Sequence, residues 1–391
     1  MKDVFNYIIQ YKDQPFDEMP PTEVDYLLIN EITYLPIDAC FNENDRLSLA
    51  QVWDLCKGQD TPLHLTNRFL ATKDRVALLE LVANSLRYGS IIISNFDHQL
   101  DPDSHIQFCA ITYTLSPDLH LVSFRGTDDS MVGWAEDFML TYEETIPAQK
   151  AAAIYLGKIL SKFKGKILIS GHSKGGNLAL FAGLEHVDQF KDKIQHLYLF
   201  DAPGLAKTYI NKPTYQDIKA ITSRYLPDDS LVGRMMYADI PPIIIKSNFF
   251  NLLQHNIMNW RIDQDRLQRA NKATLNSDMI ETTLHQWTES HSPEELETFF
   301  TYIFGQLSNM GYHSLNDLPT NLLLLLRQIQ AESKNDPGPD HDTFDRLSRD
   351  LSAKWQAVRQ RQRKAQFEAF QRRINANSSP RMTWKEKSKY R

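Results

Sequence analysis

The chain has 391 residues, of which 42% are apolar and 24% charged, and its formal net charge is −6. That length can bury a large core in one domain with an extension or in two, and the acidic balance argues against nucleic acid as the partner of the whole molecule. The charge is uneven: Lys354 to Arg391 holds twelve Lys and Arg against Glu368 and Glu386, about +10, which leaves about −16 elsewhere.

Near the N-terminus Pro20-Pro21 breaks the chain, and Glu23 to Leu35 reads as a helix. Asp74 to Leu86 has helical spacing of apolar residues. A β-rich stretch follows, Ser90 to Ser94 and Gln107 to Thr114, and a turn at Ser116-Pro117-Asp118 leads into His120 to Phe124 as a hairpin. The pattern then alternates. A helix is predicted over Pro147 to Phe163, a strand over Lys166 to Ser170 and a helix over Lys174 to Glu185. Strands are predicted over His196 to Phe200, Ile218 to Tyr225 and Ile243 to Ser247. Such alternation argues for an α/β fold with a mainly parallel sheet covered on both faces.

Ser292-Pro293-Glu294-Glu295 is a helix start, with a capping serine, proline at the first position and a glutamate that closes the box. A second helix is expected from Thr320, a linker at Lys334 to Pro339, and then an amphipathic helix that turns strongly basic. These signals divide the chain into a domain at 1–290 with an N-terminal cap segment, a helical extension at 291–335, and a linker and basic tail at 336–391. Three cysteines, Cys40, Cys56 and Cys109, are odd in number and lack metal-ligand spacing, which points to reduced thiols and a cytoplasmic setting. No signal-peptide pattern opens the chain, and the best candidate for a membrane span, Leu322 to Leu326, falls far short of the roughly 18 apolar residues one needs.

The sharpest chemical signal is Gly171-His172-Ser173-Lys174-Gly175-Gly176, set between a predicted strand and a predicted helix. A serine hydroxyl is a weak nucleophile unless it is exposed beside a base, and a tight strand-to-helix turn presents it so. The backbone N–H of Lys174 would then face the developing oxyanion, aided by the positive end of the helix. The structural alternative is a serine that only caps the helix. Leu121 to Thr127 is a strand that ends in a loop, and Thr127 can supply the second oxyanion donor. Between these two elements Met131, Trp134, Phe138, Met139 and Tyr142 fit either a flap over an acyl group or ordinary core.

The pair Phe-Arg-Gly-Thr at 124–127 and Gly-His-Ser-x-Gly-Gly at 171–176 resembles the class 3 (fungal-type) lipases. More closely, the chain resembles an uncharacterised bacterial α/β-hydrolase family related to them, in Asn6-Tyr7-Ile8, Glu23-Val24-Asp25, Tyr34-Leu35, Gln254-His255 and Trp260 as well. The resemblance covers residues 1 to about 265. Lipases of this type carry leucine after the nucleophile where this chain has Lys174, and a cation there argues against a purely lipid substrate.

The resemblance implies the chain order Ser, Asp, His. Asp229, in Leu226-Pro227-Asp228-Asp229-Ser230, is the expected acid, with Asp228 second and Asp201 a further option that looks more like a structural turn. Of the histidines beyond it, His255, His285, His291, His313 and His341, His255 follows the last strand closely and is the expected base. His172 is expected to pack beneath the turn.

Together these features predict a serine hydrolase of the lipase or esterase type that acts on a small-molecule or lipid ester through Ser173, Asp229 and His255, with Thr127 and Lys174 as oxyanion donors. It needs no metal and no organic cofactor. The alternative is a non-catalytic binding or scaffold protein on the same fold, tethered by its basic tail. For residues 354–391 two readings stand: contact with an anionic membrane face, or a solvated charged end.

Overall fold

Apolar stretches bounded by turns form one eight-stranded sheet whose spatial order is the chain order. The computed structural model describes residues 3–37, 45–58, 72–128, 130–312, 328–331 and 338–377. The strands are β1 (Leu47–Ser48), β2 (Ile92–Asp101), β3 (Ile106–Ser116), β4 (Leu119–Phe124), β5 (Lys166–His172), β6 (Ile194–Phe200), β7 (Thr222–Pro227) and β8 (Pro242–Ile245). Up to β4 the pairings are antiparallel, as the expected hairpin requires, and from β4 to β8 every pairing is parallel. The change follows from the connections, because a parallel neighbour is reached only by a long crossover.

Helices cover both faces. α1 (Val4–Tyr11), α2 (Glu23–Ile32), α3 (Leu49–Cys56) and α4 (Lys73–Ala83) lie on one side. On the other lie α6 (Pro147–Lys162), α7 (Lys174–Phe190), α8 (Lys207–Ile210) and α9 (Tyr215–Ala220). Strand periodicity sorts the core: on β4, Leu121 joins the first cluster while Val122 and Phe124 join the second. The N-terminal segment is fixed by a buried ion pair, in which Arg87 grips Asp25 with two hydrogen bonds of 2.8 and 2.7 Å.

A third cluster joins α5 (Met131–Met139) to α10 (Leu275–Thr288), α11 (Pro293–Asn309) and α12 (Pro339–Asn377). Trp287 of α10 packs there with Leu296 and Phe299 of α11 and Phe344 of α12, so the cluster runs across residue 290. Phe138, at the end of α5, stacks on Phe300 with ring centroids 4.5 Å apart. The 131–142 segment therefore serves as packing, with Trp134 buried and Tyr142 stacked on Phe300.

Two sequence expectations change. Ile218 sits in α9, and β7 begins only at Thr222, because the Tyr215–Ala220 stretch buries Tyr215 and Ile218 on one helical face. Cys56 is disulfide-bonded rather than reduced, whereas Cys109 is a buried thiol outside any disulfide. The helix expected from Thr320 lies outside the described residues. No described helix is long and apolar enough to cross a membrane.

Candidate active site

β5 ends at His172, and α7 begins at Lys174, so Ser173 alone makes the turn. It does so at φ 58°, ψ −133°, a left-handed conformation that costs a non-glycine residue about 1–3 kcal/mol. Close packing holds it there. A Cβ on Gly171 would collide with the carbonyl of Gly175, and one on Gly175 with the carbonyl of Phe124. The Ser173 side chain makes no capping hydrogen bond to α7, so the capping alternative does not describe it.

His255 ends a short 3₁₀ turn, Asn251–His255, which is anchored by the fully buried Trp260, whose indole N–H donates to Gln254 O at 2.8 Å. The His255 ring lies against the His172 ring, centroids 4.6 Å apart, one residue before Ser173. Its Nδ1 bonds Asp201 Oδ2 at 2.7 Å. Asp201 is 1% exposed and the imidazole 26%, an acid held inside with its base at the surface. The other Asp201 oxygen accepts from Ser230 Oγ at 2.5 Å and from the Gly233 N–H at 3.2 Å. Both carboxylate oxygens are thus directed.

The structure therefore brings Asp201, and not Asp229, to the imidazole. Asp229 accepts from Thr274 Oγ1 and, at 3.3 Å, from Asn276 at the start of α10. Its own N–H donates to Gln254 Oε1 at 3.0 Å, and Asp228 accepts from Gln254 Nε2 at 2.9 Å. This loop steadies the turn that carries His255 without touching the imidazole. The physical reason is strand order. β6 is the neighbour of β5, and the Ser173 N–H donates to Phe200 O, so the residue after Phe200 stands beside the serine. β7 is one strand further away.

Thr127 follows β4 beside the turn, and its hydroxyl donates to both oxygens of Asp137 at 2.6 Å. The Lys174 ammonium does not face the site. It is buried on Glu136 and Gln107, so the positive charge that argued against a lipid substrate is neutralised inside the protein. His172 packs beneath the turn as expected. Its Nε2 donates to His255 O at 2.9 Å, which leaves Nδ1 to accept from Tyr34 Oη at 3.1 Å. Burial, and then the neighbouring His255, hold its pKa well below the usual imidazole value, so it is neutral.

Sequence reasoning named Tyr34 only as part of the resemblance and gave it no role; it also accepts the Gly126 N–H at 3.2 Å and so ties the loop after β4 to the serine turn. The available signal was the polar run at the end of this helix, Asn30, Glu31 and Thr33, which is buried beside apolar neighbours. His285 is the rival base, but its Nε2 is engaged with Met236 O at 2.6 Å. Among the described residues no group of three or more His, Cys, Asp or Glu side chains is placed to hold a metal ion.

A sequence model described as Mbeg1-like matches residues 82–305, more than half of the chain. The chain belongs to the Mbeg1-like family. The match begins later and ends later than the resemblance to residues 1–265 suggested, leaving α1 to α3 outside it and taking in α10 and most of α11. Among curated proteins nothing matches. Among solved structures, the chain is similar to a mutant form of MDLA from Penicillium cyclopium, at 13% identity over 65% of this chain and 87% of that one, TM-score 0.40. It is similar at the same coverage and TM-score to a structure described as fungal lipases, with 11% identity. A structure of M37 lipase aligns at 13% identity over 76% of this chain and 95% of its own, TM-score 0.32.

Proposed function

We propose that this chain is a serine hydrolase that cleaves carboxylic ester bonds through Ser173, His255 and Asp201. The observation that carries the reading is the 2.7 Å contact between His255 Nδ1 and the buried Asp201, made at the sheet edge where Ser173 turns. A carboxylate on Nδ1 leaves Nε2 as the basic nitrogen and stabilises the imidazolium once it forms. Ser173 Oγ attacks the acyl carbon while His255 Nε2 takes its proton. The backbone N–H groups of Thr127 and Lys174 receive the oxyanion. Collapse of the tetrahedral intermediate expels the alcohol, protonated by His255, and leaves an acyl-serine. Water, deprotonated by the same imidazole, then releases the acid.

A fluorophosphonate probe tests this directly. Labelling is expected at Ser173 and is expected to vanish in Ser173→Ala. Folded wild-type protein that takes no label would leave the non-catalytic scaffold as the better reading. A series of nitrophenyl esters of rising chain length then defines the acyl group.

For the tail, one observation favours contact with an anionic lipid surface. Beyond Val358, α12 carries Arg359, Arg361, Arg363 and Lys364 together with Phe367 and Phe370, which are 60% and 61% exposed. Exposed phenyl rings among cations suit a headgroup boundary better than open solvent. Because Phe344, Leu347 and Val358 are buried, the truncation to compare should end after Gln360. Full-length chain is expected to co-sediment with anionic vesicles and the shortened chain to stay in solution; equal binding by both would reject the contact.

A further inference from the structure

The residue after Ser173 buries a cation, and an ammonium removed from water is unfavourable by several kcal/mol unless its partners compensate. Lys174 is 1% exposed. Its Nζ donates to Gln107 O at 3.0 Å, Gln107 Oε1 at 2.7 Å and Glu136 Oε2 at 2.7 Å, and it stands 3.8 Å from Asp137 Oδ1. Each ammonium proton thus has an acceptor. Glu136 accepts the Ala148 N–H with its other oxygen at 2.8 Å, and the Gln107 N–H at 3.1 Å. The start of β3, α5, the first turn of α6 and the serine turn therefore meet at one charge.

This charge lies one residue from the oxyanion loop. Asp137 follows Glu136 on α5 and holds the Thr127 hydroxyl with both oxygens. Thr127 also rests on the same helix, where a Cβ at Gly133 would press into its methyl group. We propose that Lys174 is a positioning residue for the oxyanion loop. Its ammonium locks α5 to the turn behind Ser173, so that Asp137 keeps Thr127 with its backbone N–H set toward the reacting carbonyl. The assignment rests on the reading of Ser173 as nucleophile.

Asp137 supplies a readout. Partial burial pushes its carboxyl up to about 6; Lys174 and the Thr127 hydrogen bond pull it down, Glu136 raises it, and His255 lowers it. Those four are the groups that face it. Ionised, Asp137 offers both oxygens to the Thr127 hydroxyl; protonated, it keeps one acceptor oxygen and loses the charge, so it holds Thr127 less firmly. Losing Lys174 removes the strongest influence that keeps it ionised, so the acid limb of activity moves to higher pH.

The test uses the full chain with Lys174→Met, and with Lys174→Met combined with Glu136→Gln, which leaves no uncompensated charge at the buried pair if the single variant fails to fold. Loss of an oxyanion donor outright lowers rate on the order of a hundred- to a thousandfold, so a loosened donor is expected to slow fluorophosphonate labelling about tenfold. The double variant is expected to fold, label Ser173 at about that reduced rate, show the raised acid limb, and exchange amide hydrogens faster over residues 130–140 with β5 to β7 unchanged. Wild-type labelling rate and acid limb in the folded double variant would overturn the proposal. If the wild type itself takes no label, the hydrolase reading fails, and exchange alone decides the anchoring: unaltered protection over 130–140 in the double variant would overturn it.

Discussion

Asp201 and Asp229 stand at the carboxyl ends of adjacent parallel strands, each in a short polar loop, and they do different work. Asp201 directs one oxygen at His255 and the other at Ser230 and Gly233. Asp229 faces away, accepting from Thr274 and Asn276 at the head of α10. Residue type and loop composition are nearly the same. A displacement of one strand, about 4.8 Å, separates a carboxylate that can serve an imidazole from one that holds a helix.

Exchanging each acid for its amide separates the two carboxylates most directly. Asp201→Asn leaves the shape intact but favours the wrong imidazole tautomer, and is expected to lower kcat on a nitrophenyl ester about 10⁴-fold. Asp229→Asn is expected to lower it by less than about tenfold, since its loop steadies the His255 turn without touching the ring. Equal losses would mean that the two loops do not differ as described.

The two loops also differ in what their hydroxyl partners contribute to stability. Ser230→Ala deletes a hydrogen bond to the buried Asp201 carboxylate and is expected to cost about 1.5–3 kcal/mol in urea unfolding. Thr274→Ala removes both the cap of α10 and a partner of Asp229, and is expected to cost about 1 kcal/mol with kcat unchanged.

The smallest effect concerns the two neighbouring imidazoles, one hydrogen-bonded to a carboxylate at 2.7 Å and the other 3.7 Å from the Glu31 carboxylate. His172 has its folded pKa depressed below the ordinary 6.5, first by burial. Below that pH the unfolded chain binds the extra proton, so stability contributed by neutral His172 is present above about 6.5 and is lost as pH falls. His172→Gln is expected to flatten the decline in melting temperature between pH 7 and 5; an identical slope in both proteins would show that the ring is not held neutral. Asp137, with its raised pKa, acts with the opposite sign in both proteins and cancels in the difference.

Much of this site can be read along the chain. Gly171 to Gly176 between an apolar strand and a helix marks Ser173, because only small neighbours permit so sharp a turn. His255 is marked by its place soon after the last strand, and Thr127 by its position at a strand end ahead of the serine. Asp201 was within reach, since it too lies between Ser173 and His255 and follows a strand, yet Asp-Ala-Pro-Gly reads first as a turn. Tyr34 and the buried partners of Lys174 lie between 38 and 138 residues from the groups they hold, and no local pattern connects them.

By itself the sequence determined the alternation of strands and helices, the two-faced core, the serine turn and the basic end, since all of these follow from spacing within a few residues. Tertiary structure alone decided which aspartate meets the imidazole, that the Lys174 charge is buried rather than presented to substrate, and that residues 131–142 pack against the C-terminal helices. Each of these depends on which strands become neighbours and which side chains share a buried space, and hydrogen bonds and ion pairs form by distance in space rather than by order along the chain.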